Sequence, residues 1–330
     1  MLYATPHPGH RRFDFSRSRQ DAGGWVRREE AVMGTAISVE LWCEERTAGD
    51  AAAAAVIGEM HRIDRTMSPH KPDSELSRIN RDAATQAVPL SDEMARLIER
   101  AMHFSHLSGG AFDISYASIG QLYDYRAGTG PSDEQLALAR RAVGWRHLQL
   151  DPRARTLRFG VPGMRIDLGG FAKGHAVDNA CRLLQRLGIR HAMVAAGGDS
   201  RVIGTRGSRP WTIAIRDPRR AGEVVAVLPL QDTSISTSGD YERFFERDGQ
   251  RHHHIVDPST GRSPSSLRSV TILGADGITC EGLSKSVFVL GIERGLALIE
   301  SMVGVDAVLI DDQGRLHRSS GLLDGHAARA

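Results

Sequence analysis

The chain has 330 residues, 41% of them hydrophobic, enough to bury a large core in one big domain or two. Its 42 basic and 40 acidic residues leave a formal net charge of +2, so no overall field draws it to nucleic acid or to an anionic membrane, and no apolar run is long enough to insert into one. The three cysteines, Cys43, Cys181 and Cys280, stand far apart, which argues against a disulfide frame or a zinc knuckle and suits a reducing compartment.

Arg11-Arg12 begins like a twin-arginine signal, but the hydrophobic region that export needs does not follow. Residues 1 to 25 therefore read as a flexible tail and the protein as cytoplasmic, with one main domain over 26–320 and a short tail over 321–330. After the turn Met33-Gly34-Thr35, the segment AISVELWC alternates as a strand. A long helix follows, with Val56, Met60, Ile63 and Met67 on one face and Pro69 as its stop. The polar segment SPHKPDSELSRIN reads as a surface loop of the kind that carries ligand contacts. Ser91, Asp92 and Glu93 open a helix that closes at Gly109-Gly110, directly before Ala111, Phe112 and Asp113. Ser132 to Gln135 is a capping box. Leu148, Leu150, Leu157 and Phe159 suggest a hairpin feeding a central strand at Ile166.

Residues 165–199 then read as strand, glycine turn, helix, strand and second glycine turn. Ala176, Ala180, Leu183, Leu184 and Leu187 form an apolar stripe, and Gly188 stands where a C-terminal cap is wanted. Gly169, Gly170 and Gly174 let the backbone approach a ligand at the helix start, where free N–H groups and the positive dipole end favour an anion. Lys173 adds a cation there. The chain has only three lysines, Lys71, Lys173 and Lys285, and arginine does not replace lysine where a compact point charge is required.

WTIAI and VVAVL read as strands, and Asp248-Gly249 as a tight hairpin turn. Ser234, Ser236 and Ser238 share a face before Gly239-Asp240, a hydroxyl-rich edge suited to phosphate or to water. In HHHIVDPSTG a strand would put His252 and His254 on one face, as metal ligands or as ordinary solvated imidazoles. Thr279 reads as the cap of a helix carrying Glu281 and Lys285 one turn apart, by default a surface salt pair. No GxSxG, GxGxxG or GxxxxGK[ST] pattern occurs, so a serine hydrolase, a standard dinucleotide fold and a P-loop lack support. The element order indicates an α+β fold rather than regular βαβ alternation.

Taken together, MGTAISVELW, MSPHKPDSELSRIN, GGAFDIS, IDLGGFAKGHAVD, AAGGD, STSGDYERFF, HIVDPSTGRSP and EGLSKSVFVLG resemble the ApbE-type FAD:protein FMN transferases, in order from about Met33 to Asp311. The resemblance implies a T-fold-related α+β fold of mixed sheets and packed helices around a central flavin cleft. It implies cleavage of the FAD pyrophosphate, magnesium, and transfer of FMN through a phosphoester to a threonine of an acceptor flavoprotein. It puts flavin contacts on Met33, His70, Ala111, Phe112, Asp113, Asp167, Lys173 and Val256, and the transfer histidine at His254. It puts the metal on the Gly170 carbonyl and at positions 281 and 285. Three positions depart from the family pattern. His70 replaces a tyrosine that lies over the flavin, Glu281 replaces an aspartate, and Lys285 replaces a threonine. A protonated lysine has three donors and no acceptor, so it cannot ligate magnesium. The alternative implied by that departure is a member that binds or slowly hydrolyses FAD without transferring it.

Overall fold

The structure, a computed structural model, describes residues 23–220 and 222–322. The expected tails lie almost wholly outside the described residues, although Gly24 and Trp25 belong to the first strand and Gly321 and Leu322 to a last helical turn.

Two strands, β1 (Gly24–Val32) and β2 (Thr35–Cys43), lead into helix α1 (Arg46–Met67) and the short α2 (Glu75–Asp82). The pair β3 (Val88–Pro89) and α3 (Asp92–Leu107) is followed by a single helical turn, α4 (Ala117–Gly120), and by α5 (Asp133–Ala139). A small hairpin, β4 (Leu148–Asp151) and β5 (Thr156–Phe159), precedes α6 (Ala172–Arg186). Then come β6 (Ala192–Ala196), β7 (Asp199–Ile203), β8 (Trp211–Arg216), β9 (Val224–Leu230), β10 (Ser234–Gly239), β11 (Phe244–Arg247), β12 (Gln250–His253) and β13 (Leu267–Gly274). Helix α7 (Gly277–Glu300), broken at Gly291 where φ is 77°, and the strands β14 (Asp306–Asp311) and β15 (Leu316–Arg318) complete the chain.

Eight strands form one sheet in the order β1-β2-β6-β7-β10-β13-β14-β15, every neighbouring pair antiparallel. Helices α1, α6 and α7 pack together over one face. The β8–β9 ribbon covers part of the other, where Trp211 and Leu230 meet Val202, Ile235 and Leu273. The alternation of β10 sorts its side chains between these two layers: Ser236 and Ser238 point to α7, and Ile235 to the ribbon. These serines therefore line a buried strand in mid-sheet rather than an edge.

Most helix signals are realised by the groups that carry them. Ser91 accepts from the Met94 N–H, and Ser132 and Gln135 form the reciprocal box. Val56, Met60, Ile63 and Met67 are all buried. Helix α6 ends in a Schellman motif at Gly188, φ 80°, with Ile189 N donating to Leu184 O and Gly188 N to Gln185 O. Leu187 is the cap residue and lies outside the apolar stripe, 53% exposed.

Two expectations fail at particular hydrogen bonds. The segment at Ile166 is not a strand, because the Asn80 side chain takes both its N–H (2.8 Å) and its carbonyl (2.9 Å), the groups a ladder would use. Thr279 does not cap α7. The helix begins two residues earlier, Asp276 accepts from Thr279 N, and the buried Asp178 carboxylate receives the N–H groups of Gly277 and Ile278. Two carboxylates thus satisfy the orphan donors and oppose the positive helix end. Close by, α6 and α7 touch backbone to backbone, since a Cβ at Gly174 would fall onto the Gly277 carbonyl.

Candidate active site

The β1–β2 hairpin turns on Met33 (φ 55°) and Gly34 (φ 69°), a left-handed pair that such two-residue turns require. A methionine in this region is strained by about 1 kcal/mol, and such strain tends to persist where a position serves a ligand. The turn borders an open cavity of about 470 Å³ lined by Met33, Gly34, Thr35, His61, Asp64 and Lys71. Arg243 reaches the Gly34 carbonyl from the far side of the chain, at 3.5 Å. His70 is exposed in the loop after α1.

After α3, Phe112 packs with Phe104 and Phe171 at centroid separations of 5.4–6.1 Å, which pins the Ala111–Asp113 loop to the start of α6. Asp113 is buried, and both its oxygens are engaged, one by Ser115 N and Oγ and the other by Trp145 N at 2.7 Å. Burial raises its pKa against the pull of those bonds. Val256 is buried beside Ile119 and Leu136. For Phe112, Asp113 and Val256 it is therefore backbone, not side chain, that is left for a ligand.

The charged centre lies where α6 and α7 begin. Lys173 Nζ donates to Gly169 O at 3.0 Å and pairs with Asp199 at 3.2 Å and with Glu281. An ammonium has three donors, so all three are taken. Burial works against its charge, but the Asp199 and Glu281 carboxylates outweigh that effect and raise its pKa. Glu281 is fully buried, and its other oxygen accepts the Gly174 N–H at 2.7 Å. Burial and then the nearby Asp199 raise the Glu281 pKa. The default surface pair between Glu281 and Lys285 is absent: Glu281 turns to Lys173 instead. One N–H of the α6 start, that of Gly174, is already taken by this carboxylate.

Lys285 runs beneath Gly170, whose added Cβ would sit 3.6 Å from the Lys285 Cγ and 3.7 Å from its Cε. Its Nζ donates to Ser238 Oγ at 2.7 Å. Because lysine can only donate, Ser238 passes its proton to Ser284 (2.8 Å), and Ser284 donates to the Glu281 carbonyl (2.9 Å). Burial lowers the Lys285 pKa, with Glu281 acting in the opposite sense. Among the described residues no group of three or more His, Cys, Asp or Glu side chains could hold a metal ion. Gly170, Glu281 and Lys285 do not fit magnesium, since both Glu281 oxygens already have partners and position 285 offers an ammonium.

His254 follows β12, its N–H donating to Arg243 O at 3.0 Å. Its Nδ1 is buried with no hydrogen-bond partner among the described residues. Burial, and then the positive charges of Lys285, Arg243 and Lys173, push its pKa down to about 3. The imidazole is neutral at physiological pH, with a lone pair available. Asp167 belongs to the same group of charges: burial raises its pKa, while the Gly169 N–H it accepts, and then His70, Lys173 and Arg243, oppose the rise. His252 lies elsewhere, stacked on Phe245 at 4.9 Å, so the histidine pair makes no metal site. Asp199, Arg243 and Ser284 lie inside motifs quoted above without having been singled out, and Tyr116 follows one directly; only the fold shows what Asp199, Arg243 and Ser284 bond to.

A pH effect on stability follows. Between the folded value of about 3 and the unfolded value of 6.5 for His254, the unfolded chain binds the extra proton. Stability is therefore lost as pH falls below about 6.5, at up to roughly 1.4 kcal/mol per unit from this group. Urea unfolding of His254→Asn between pH 6 and pH 4 is expected to show a slope flatter by about one proton. An unchanged slope would contradict the burial of this imidazole.

The comparisons with known proteins converge on one family. The ApbE family model matches residues 33–309. An FAD:protein FMN transferase of Treponema pallidum (strain Nichols) is 33% identical, over 90% of this chain and 87% of its own. One of Vibrio cholerae serotype O1 is 34% identical, over 73% and 74%. Among solved structures, the ApbE protein of Thermotoga maritima MSB8 aligns with a TM-score of 0.85 at 30% identity, covering 91% of this chain and 98% of that one. The flavin transferase ApbE from Vibrio cholerae gives 0.83 at 30%, covering 92% and 99%.

Proposed function

The chain belongs to the ApbE family, and from that membership we propose that it is an FAD:protein FMN transferase acting through His254. The reading rests above all on the buried, neutral imidazole with an unpartnered Nδ1, near Lys173 and Lys285. An acceptor threonine hydroxyl gives its proton to His254. Its oxygen attacks the FMN-side phosphorus of FAD, the bond to the bridging oxygen breaks, and AMP leaves with that oxygen and the electron pair. The Met33 turn, His70 and the Ala111–Asp113 and Val256 backbones hold the flavin in this reading. Gly169 and Gly170 admit the phosphates, and Asp167 marks the cleft wall. The family's magnesium has no step here, because the residues that would hold it do not fit it.

One domain over residues 26–320 is part of the same proposal. So is a cytoplasmic acceptor protein, which the three buried, unpaired cysteines support. No helix of the described residues is long and apolar enough to cross a membrane.

The test is to incubate the pure protein with FAD and a threonine-bearing acceptor, and to follow AMP by chromatography and flavin on the denatured acceptor by fluorescence. The expected result is AMP matched by covalent flavin. AMP with free FMN and no adduct would favour the second reading, slow hydrolysis without transfer, which the poor fit of Glu281 and Lys285 to magnesium supports. Unaltered FAD that still binds would leave only the binding part of that second reading, and FAD that does not bind would overturn both.

A further inference from the structure

Two lysines stand at the α6–α7 junction, and hydrogen-bond counting separates them. Lys173 has an acceptor for each of its three donors, Gly169 O, Asp199 and Glu281. Lys285 has one good bond, to Ser238 at 2.7 Å, and a marginal approach to Ser284 at 3.5 Å. At least one of its N–H donors is therefore uncommitted. The side chain is not sealed in, being only partly buried. Its stem lies against Gly170, at the mouth of the glycine turn where no side chain intervenes. The serine chain from Ser238 to Ser284 to the Glu281 carbonyl fixes the ammonium from below.

We propose that Lys285 is a built-in cation that replaces the divalent ion, so that this protein holds the pyrophosphate of FAD without metal. The inference rests on the flavin-transferase reading and specifies how that site handles phosphate charge. Three observations carry it. Both carboxylates of the cluster are already engaged, Glu281 by Lys173 and the Gly174 N–H and Asp199 by Lys173 and the Ser236 hydroxyl. The Lys285 stem fills the space beside Gly170, its Cε 3.7 Å from where a Gly170 Cβ would stand. The immediate cluster of Lys173, Lys285, Asp199 and Glu281 is neutral by itself, two charges of each sign, and needs no further cation to be stable in a low-dielectric site. The Ser238 hydroxyl, held between Lys285 and Ser284, keeps the ammonium directed when a charged-phosphate hydrogen bond forms.

The experiment is titration of the full chain with FAD, followed by flavin fluorescence, in excess EDTA and in millimolar magnesium, together with Lys285→Met, which keeps the stem and removes the charge. A parallel titration with manganese, read by electron paramagnetic resonance, asks directly for an ion site. The expected results are an FAD affinity equal in both media within about twofold, no manganese site that FAD creates or tightens, and binding about tenfold weaker in Lys285→Met, the scale of one charge-assisted contact. The proposal is overturned by a tenfold loss of wild-type affinity in EDTA, by a manganese ion bound together with FAD, or by a folded Lys285→Met that binds as tightly as the wild type. Should Lys285→Met not fold, the wild-type titrations decide alone. FAD that binds only with metal removes this inference and leaves the transferase reading standing, whereas FAD that binds in neither medium removes both.

Discussion

Replacing His254 with alanine is expected to lower FMN transfer by about 10²- to 10⁴-fold while FAD remains bound, the range for loss of a positioned general base. The imidazole meets both demands on such a base. Its Nδ1 is buried without a protein partner among the described residues, so no hydrogen bond at that nitrogen fixes which ring nitrogen keeps the lone pair. Its pKa near 3 keeps it unprotonated across the working range. That low value also makes it a weak base, so its contribution arises from placement and from the moment of transfer rather than from equilibrium proton affinity. The measurement is single-turnover flavin transfer beside an FAD titration of the same variant. Equal losses in both would assign His254 to the framework of the cleft.

The second large effect is expected at Lys173. Lys173→Ala leaves Asp199 and Glu281 facing each other without their shared cation, in a place where Glu281 is wholly buried. Removing one partner of a buried ion pair destabilises a protein by about 3–5 kcal/mol. The 22% exposure of the Lys173 side chain sets the expected loss near the lower end, about 3 kcal/mol. The double variant Lys173→Ala, Glu281→Gln should recover part of it, because the uncompensated charge goes with the glutamate. Urea unfolding of the two variants and the parent measures both numbers. Wild-type stability with FAD binding about tenfold weaker would instead support the role that the sequence suggests for Lys173, a direct phosphate contact.

Local chemistry made much of this legible in advance. A cap is a contract between residues three apart, so Ser91 and Ser132 could be read without the fold. The face of α1 follows from its period alone, and Asp248-Gly249 does form the β11–β12 turn, both residues left-handed at φ 54° and 72°. One error is local: the segment read as a loop over Ser68–Asn80 turns helical at Glu75–Asp82, capped by Ser74 and burying Leu76 and Ile79. Three others involve partners distant in sequence. Asn80 takes the backbone at Ile166 from 86 positions away. Asp178 helps to open α7 from 99 and 100 positions away. Glu281 answers Lys173 across 108 positions rather than Lys285 across one helical turn. Spacing rules describe which groups can meet along one element. They do not say which of two carboxylates or two lysines a third element will bring closer. The motif order conveyed the family, and through it His254 and position 285, but the division of labour between the lysines required the hydrogen bonds.

The glycine contact between α6 and α7 bears on how such a site can change over time. Where two helices meet through side chains, the distance between their first turns drifts with every substitution at the crossing. Here Gly174 meets the Gly277 backbone directly, so the separation is set by main-chain atoms that no substitution at 281 or 285 alters. The frame and the charges it displays are thus inherited separately. If Lys285 serves as proposed, exchanging a carboxylate and a hydroxyl for a longer carboxylate and an ammonium rewrites the electrostatics of the junction while the two helix starts keep their spacing, so a metal-bearing and a metal-free cleft would differ at two positions.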